Sequence, residues 1–169
     1  MLEISHPHIQ LRAQSQSAED LAFLRQLYAS VKLDELGNSG WNESQKIAFI
    51  DTQFDAQQRF YSQHQNASFL LVLYKNHPVG RVYLQQAEQA LVLIDMSLIK
   101  GFRSQGLGSL LMQSVIEKAR QHRLAIELNI DKMNPALKWY LRMNFQLIED
   151  KGVYLYLRRP AWQEQMAGI

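Results

Sequence analysis

Ala90 to Ile99 (ALVLIDMSLI) is a β-rich run, and from its end the chain passes through Arg103-Ser104-Gln105-Gly106-Leu107-Gly108 into a stretch of helical period. Leu107, Leu110, Leu111, Ser114, Val115 and Ala119 share one stripe leading to Gln121-His122. Leu124, Ile126, Leu128 and Ile130 then alternate with Ala125, Glu127 and Asn129 as a strand does. A strand, helix, strand order of this length permits a crossover, so the two strands are expected to be parallel neighbours. The rest of the chain has to be arranged around that pair.

What precedes it changes texture once. After a short strand around Ile9 to Ala13, Ser17 with Asp20 resembles a capping box, and Leu21, Leu24, Leu27, Tyr28 and Val31 recur at helical spacing. Leu33 to Gly40, with Gly37, Asn38, Ser39 and Gly40, is turn chemistry, and Asn42 with Gln45 opens a second helix carrying Ile47, Ile50, Phe54 and Tyr61 to about His64. Ser68 to Tyr74 and Val79 to Gln85 are then strands, set off by Asn76-His77-Pro78 and the polar stretch Gln86 to Gln89. Connections this short imply an antiparallel meander. Downstream, Asn134 is expected to cap a helix with Pro135 in its first turn and Leu137, Tyr140 and Leu141 inward. Strands near Phe145 to Glu149 and Val153 to Arg158 flank Lys151-Gly152, and alternation on the last one suggests that both its faces are covered. Residues 160–169 read as a short helical or frayed tail.

A chain of 169 residues, 47% of them hydrophobic, has apolar material for one core, and a single domain over residues 1–169 is expected, its core at about 8–158. Eighteen basic residues against 16 acidic leave a net charge of +2, too weak a field to argue for nucleic acid or an anionic membrane. Cysteine is absent, which removes disulfides, thiolate metal sites and a cysteine nucleophile. Met1 to Pro7 has no signal-peptide pattern and no later segment is long and apolar enough to span a bilayer, so the expected location is the cytoplasm. His6, His8, His64, His77 and His122 have no ligand spacing, and no metal is expected.

The turn at Arg103 to Gly108 carries the chemistry. A helix start offers unpaired N–H groups and the positive end of a dipole, and glycines let a pyrophosphate approach that backbone; Arg103 could add a charge-assisted contact. The same glycines would also serve an ordinary turn that needs positive φ. No Gly-Lys-Ser/Thr ending follows, which excludes a P-loop, and the third glycine of a dinucleotide fingerprint is missing.

Arg103-x-x-Gly106-x-Gly108 at a strand-to-helix junction resembles the acyl-CoA pyrophosphate signature of the GNAT acetyltransferase superfamily. Asn134-Pro135-Ala136-Leu137-Lys138-Trp139-Tyr140-Leu141-Arg142-Met143-Asn144-Phe145 is similar to that family's Asn-Pro-Ala…Tyr…Gly-Phe helix, with Asn144 in the place of its glycine. Ile99-Lys100-Gly101-Phe102 lacks the commoner proline and acidic pair before the signature. The resemblance implies an α/β (α+β) fold: a mixed, mainly antiparallel sheet of six to seven strands with one central parallel pair, flanked by about four helices.

It also implies an acetyl-CoA-dependent N-acetyltransferase, in which a primary amine attacks the thioester directly in a ternary complex. Arg103, Ser104, Gln105, Gly106, Leu107, Gly108 and Ser109 would hold the pyrophosphate, and the backbone of Leu98, Ile99 and Lys100 would pair with pantetheine. Tyr140 would protonate the departing thiolate; with ordinary values of about 10 for tyrosine and about 8.5 for a thiol the transfer is near balance. A tyrosine that merely packs is the alternative, as capping is for Asn134, which would otherwise hydrogen-bond the pantetheine arm.

An alkyl ammonium of pKa about 10.4 is neutral at pH 7 in only about one part in a few thousand, so a proton acceptor is needed. Glu35, between the first two helices, and Asp95, on the strand before the signature, are equal candidates, with Glu127 behind them; any one carboxylate could instead be structural. Glu35, Trp41 and Tyr61 could border a pocket for a small-molecule or peptide amine, and the sequence leaves a homodimer open. The second function class is a non-catalytic acyl-CoA-binding or protein-interaction module on the same fold.

Overall fold

The computed structural model describes residues 2–168; Met1 and the last residue of the expected tail, Ile169, lie outside them. Strand β1 (Ile9–Ala13) leads into helix α1 (Ala18–Glu35), whose first turn is closed by Ser17 Oγ accepting from the Asp20 N–H at 3.1 Å. The capping box is not reciprocal. The Asp20 carboxylate turns back to β1, where Arg12 donates to both oxygens at 2.8 and 2.9 Å, and the Ser15 N–H adds 2.8 Å. Helix α2 (Glu43–Ser62) has the full box, Asn42 and Gln45 exchanging bonds of 2.9 and 3.0 Å. Ile50, Phe54 and Tyr61 of its expected stripe are buried, whereas Ile47 is exposed.

The sheet follows in short steps. Strands β2 (Ala67–Tyr74), β3 (His77–Gln86) and β4 (Ala90–Leu98) form the antiparallel meander. Its first turn is tighter than the sequence suggests: Lys75 and Asn76, both at positive φ, make a two-residue hairpin, and His77 and Pro78, read as breakers, begin β3. Pro78 is tolerated because β4 pairs with β3 only from Gly80 onward, so no ladder needs its missing N–H. A Cβ on Gly80 would stand 2.4 Å from the Ser97 carbonyl oxygen, so this glycine admits the end of β4.

After a 3-10 turn (Lys100–Phe102) come helix α3 (Leu107–Gln121), strand β5 (Ala125–Asp131), helix α4 (Leu137–Arg142), strands β6 (Gln146–Asp150) and β7 (Tyr154–Arg159), and helix α5 (Trp162–Ala167). The seven strands order as β1-β2-β3-β4-β5-β7-β6, and every pair is antiparallel except the expected β4–β5. Helix α4 begins later than read: Asn134 caps the turn before it, accepting from the Ala136 N–H at 2.9 Å, and Leu141 faces solvent. Asn144 ends the motif in the left-handed conformation at φ 67°. Among the described residues the helices number five, the tail supplying one more than expected, and none is long and apolar enough to cross a membrane.

Two cores lie on opposite faces of the sheet. One gathers Leu70, Val72, Val82, Leu91 and Leu93 with Leu111, Met112 and Val115 of α3; the other packs Leu24, Leu27, Ile50 and Phe54 of α1 and α2 on Leu71 and Leu73. Leu155 and Leu157 of β7 join the first core, but Tyr154 is exposed, so the opposite face of that strand is not covered along its length as the alternation suggested.

Candidate functional site

The register between β3 and β4 slips once. Tyr83 pairs with Asp95 and Leu84 with Leu93, which leaves Ile94 as an extra residue on β4. Leu91 and Leu93 before this bulge, and Met96 and Leu98 after it, all face the α3 core, while Asp95 and Ser97 face α1 and α2. Just before the bulge β4 parts from its parallel neighbour: only Ala90, Leu91 and Val92 pair with Ala125, Ile126 and Glu127. Half of the backbone groups from there to Leu98 on β4, and to Asp131 on β5, therefore point into an open gap, a ready edge for an extended ligand.

The mouth of the gap is the glycine turn. Ile99 donates its N–H to Val79 O at 2.9 Å, so it does not offer that N–H to the gap as the sequence suggested; by alternation the N–H groups of Met96 and Leu98 point there. Ser104 and Gly106 both have positive φ, at 60° and 82°, which a glycine accepts at Gly106 without strain. Gln105 donates to Gly101 O at 2.7 Å. No side chain caps α3, and its first internal bond runs from the Leu110 N–H to Gly106 O at 3.0 Å. The N–H groups of Leu107, Gly108 and Ser109 are thus left to an outside acceptor. The space over Gly106 is open, and a Cβ on Gly108 would meet nothing closer than the Trp139 ring at 4.0 Å.

Arg103 is not free beside this turn. Its Nε donates to Leu98 O at 2.8 Å, Nη1 to Asp34 at 2.9 Å and Nη2 to Ser30 Oγ at 3.1 Å, so the guanidinium ties the turn to the end of α1. Two of its five N–H groups remain for a phosphate. Arg103, with Lys100 behind it, holds the Asp34 carboxyl below its ordinary value. Lys100 itself is largely exposed, its Nζ 3.6 Å from Asp34.

Of the sequence candidates for chemistry, Tyr140 lies within range of the Asp95 charge. Tyr140 is buried among Trp139 and Phe145, and its hydroxyl is pushed well above the ordinary tyrosine value, first by burial and then by the negative charge of Asp95. Glu35 is engaged by Lys32 Nζ at 2.8 Å on the exposed last turn of α1. Glu127 lies beside Tyr156, whose hydroxyl is pushed up to about 12 by burial and by this neighbouring carboxylate. Trp41 packs edge-on against Phe49 and Tyr61 against Tyr83, so the aromatics proposed to border one pocket fall into two groups. A cavity of about 450 Å³ lies beside the second group, between Gln14, Arg25, Phe54 and Phe69.

Sequence reasoning missed Arg81. It is 2% exposed, donates from Nε to Asp95 and from Nη2 to Gln57 Oε1 at 3.0 Å, and lies over the rings of Tyr61 and Tyr83 at 5.2 and 4.9 Å. Ser97 Oγ donates to both oxygens of Asp95, at 3.0 and 3.1 Å. The signal was present, because a lone arginine in the apolar run Val79 to Leu84 needs a counter-charge, and Asp95 on the next strand is the one available.

A mixed sheet whose one parallel pair parts beside an uncapped helix start is the architecture of acyl-CoA-dependent acetyltransferases. Residues 24–145 match the model of the acetyltransferase (GNAT) family, and the chain belongs to that family. Among solved structures, the PaiA N-acetyltransferase of Thermoplasma acidophilum in complex with coenzyme A superposes with a TM-score of 0.69 at 14% identity, over 90% of this chain and 98% of that one. A GNAT acetyltransferase of Elizabethkingia anophelis with acetyl-CoA bound gives 0.60 at 14%, over 92% and 99%. An acetyltransferase of Thermus thermophilus gives 0.65 at 14%, over 90% and 97%. At these identities the likeness is one of fold. No curated protein matches the chain.

Proposed function

We propose that the chain, acting as a single domain, transfers the acetyl group of acetyl-CoA to a primary amine by direct attack within a ternary complex. The observation that carries this reading is the convergence on one gap of unpaired strand backbone, three free N–H groups at the start of α3, a buried tyrosine hydroxyl and a carboxylate.

Acetyl-CoA supplies the thioester whose acyl carbon the amine attacks. The residues present suit it. The N–H groups of Leu107, Gly108 and Ser109, at the positive end of the α3 dipole, would receive the pyrophosphate, with Ser104, Gln105 and Gly106 shaping the approach and Arg103 adding its remaining donors. Met96 and Leu98 would hydrogen-bond the pantetheine arm through their N–H groups, and one of these can stabilise charge on the thioester oxygen. Asn134 has given its Oδ1 to the Ala136 N–H, which leaves its NH₂ for the same arm.

Asp95 would take the proton from the ammonium through Oδ1, the oxygen that Arg81 leaves open. Tyr140 would donate a hydrogen bond to the sulfur. Because burial weakens it as an acid, the near balance expected of an ordinary tyrosine does not hold, and it would release its proton only to a thiolate made more basic by the same burial.

The test is calorimetric titration of acetyl-CoA into the wild type and Gly108→Glu, followed by thiol release with a panel of spermidine, phenethylamine, lysine and a peptide with a free N-terminus. Arg103→Glu would be a poorer probe, since it places a second acid beside Asp34 and loosens the turn. A glutamate at position 108 meets open space and favours the helix start, so the variant should fold normally while binding acetyl-CoA at least about 30-fold more weakly through charge repulsion. Equal binding by both proteins would remove the proposed cofactor site. Binding without turnover of any amine would favour the non-catalytic module instead.

A further inference from the structure

We propose that Arg81 is a positioning residue: caged by α2 and β3, it fixes the Asp95 carboxylate at the β4–β5 gap so that Oδ1 faces the incoming amine. The inference rests on the reading of Asp95 as the proton acceptor.

Arg81 stands at a place where the sheet has no need of charge. It pairs in register with Leu71, directly under α1 and α2, and at 2% exposure its guanidinium has lost nearly all contact with water. Taking an arginine and much of a carboxylate out of water is costly, and an apolar pair of similar volume is often at least as stable. Stability is therefore a weak reason for the pair, and orientation a better one.

The contacts are those of an orienting device. A carboxylate on a strand can turn about two side-chain bonds. Here Oδ2 accepts from Arg81 Nε, and Ser97 Oγ bridges both oxygens, which fixes the plane of the group and leaves lone pairs only on the Oδ1 side. Arg81 is itself held: Gln57 of α2 accepts from Nη2, Tyr61 of α2 and Tyr83 of β3 face its plane, and Nη1 is buried with no partner among the described residues. Tyr83 is fixed in turn by its hydroxyl bond to Gln14. The Asp95 side chain keeps 21% exposure, so the held group is not sealed from solvent. A planar fork suits this task better than an ammonium, which fixes no plane.

The experiment follows thiol release from acetyl-CoA, with the fastest amine of the panel, in the full chain carrying Arg81→Gln, Arg81→Lys, Asp95→Asn or Arg81→Gln with Asp95→Asn. Acetyl-CoA affinity and melting temperature are measured for each. Arg81→Gln should lower kcat by about 30-fold while leaving the KM for acetyl-CoA within about twofold, because the cofactor turn lies elsewhere and only the proton acceptor is released. Arg81→Lys should recover part of that loss, and in the Asp95→Asn background Arg81→Gln should cost nothing further.

An unchanged kcat, or an equal loss in both backgrounds, would overturn the proposal. If Arg81→Gln does not fold, Gln57→Ala frees only one edge of the guanidinium; a drop of about threefold with Asp95 present and none in the Asp95→Asn background supports the proposal, and no difference between backgrounds refutes it. Turnover that Asp95→Asn leaves intact would overturn the roles of both residues while acetyl transfer stands. A wild type with no turnover would remove the premise, and the inference with it.

Discussion

The Tyr140 hydroxyl has no hydrogen-bond partner among the described residues, although the ring that carries it is packed between Trp139 and Phe145. Packing and chemistry are therefore separable at this residue. Tyr140→Phe keeps the ring and should leave the melting temperature unchanged, while lowering kcat by about 10- to 100-fold at constant KM; steady-state thiol release checks it, and a rate within about twofold of wild type would reduce the residue to a packing role. Asp95 could be picked out of the sequence as the polar exception in an apolar strand, and Tyr140 by its place in the helix motif that resembles the family's. Glu35 had only its place in a loop to recommend it, and the structure gives it to Lys32. Arg81 escaped notice although its charge in an apolar run calls for a counter-ion: that Asp95 answers it from across the ladder is fixed by the cross-strand register, which one sequence does not state.

Elements are joined here by a few buried polar groups as well as by their apolar faces. Asp20 fastens the start of α1 to β1 through Arg12 and Ser15, and the Arg12 guanidinium holds its carboxyl well below the usual range against the opposing effect of burial. A depressed carboxyl stabilises the fold wherever the unfolded chain would also be ionised, above about pH 4, and the contribution is lost as the pH falls toward the folded value. Asp20→Asn should accordingly lose about 1–3 kcal/mol at pH 7, and the gap to wild type should close below about pH 4 in denaturant melts run across pH. A constant gap would show that shape, not charge, matters there. The helices and strands themselves were legible to within about two residues, since period and caps are local, except that α1 runs three residues further, to Glu35, than the turn read from Leu33 onward allowed. Less legible were the hairpin at Lys75-Asn76, where Pro78 masked the turn, and the bulge, although the apolar positions of ALVLIDMSLI shift from odd (Leu91, Leu93) to even (Met96, Leu98) across it.

For the molecule as a whole, the two cores share one sheet, and the glycine turn is bridged by Arg103, through Ser30 and Asp34, to α1, which packs in the second of them. Occupancy of the turn should be felt in α1. Hydrogen exchange with and without acetyl-CoA is expected to slow by about tenfold or more at Leu107 to Ser109 and also at residues 30–35; protection confined to the turn would mean that the bridge transmits nothing. The fold class was readable because two motifs sit in register with the order of elements, whereas the three-pair contact between β4 and β5 was visible only in the structure. That short contact ends at Val92, two residues before Ile94, the extra residue inside the β3–β4 ladder. In-frame loss of its codon would keep Leu84 opposite Leu93 and Tyr83 opposite Asp95, yet would straighten β4 and let it zip to β5, closing the gap. A descendant gene could thus retain every signature residue and encode an inert protein, so relatives are better sorted by the spacing from Leu93 to Met96 than by their motifs.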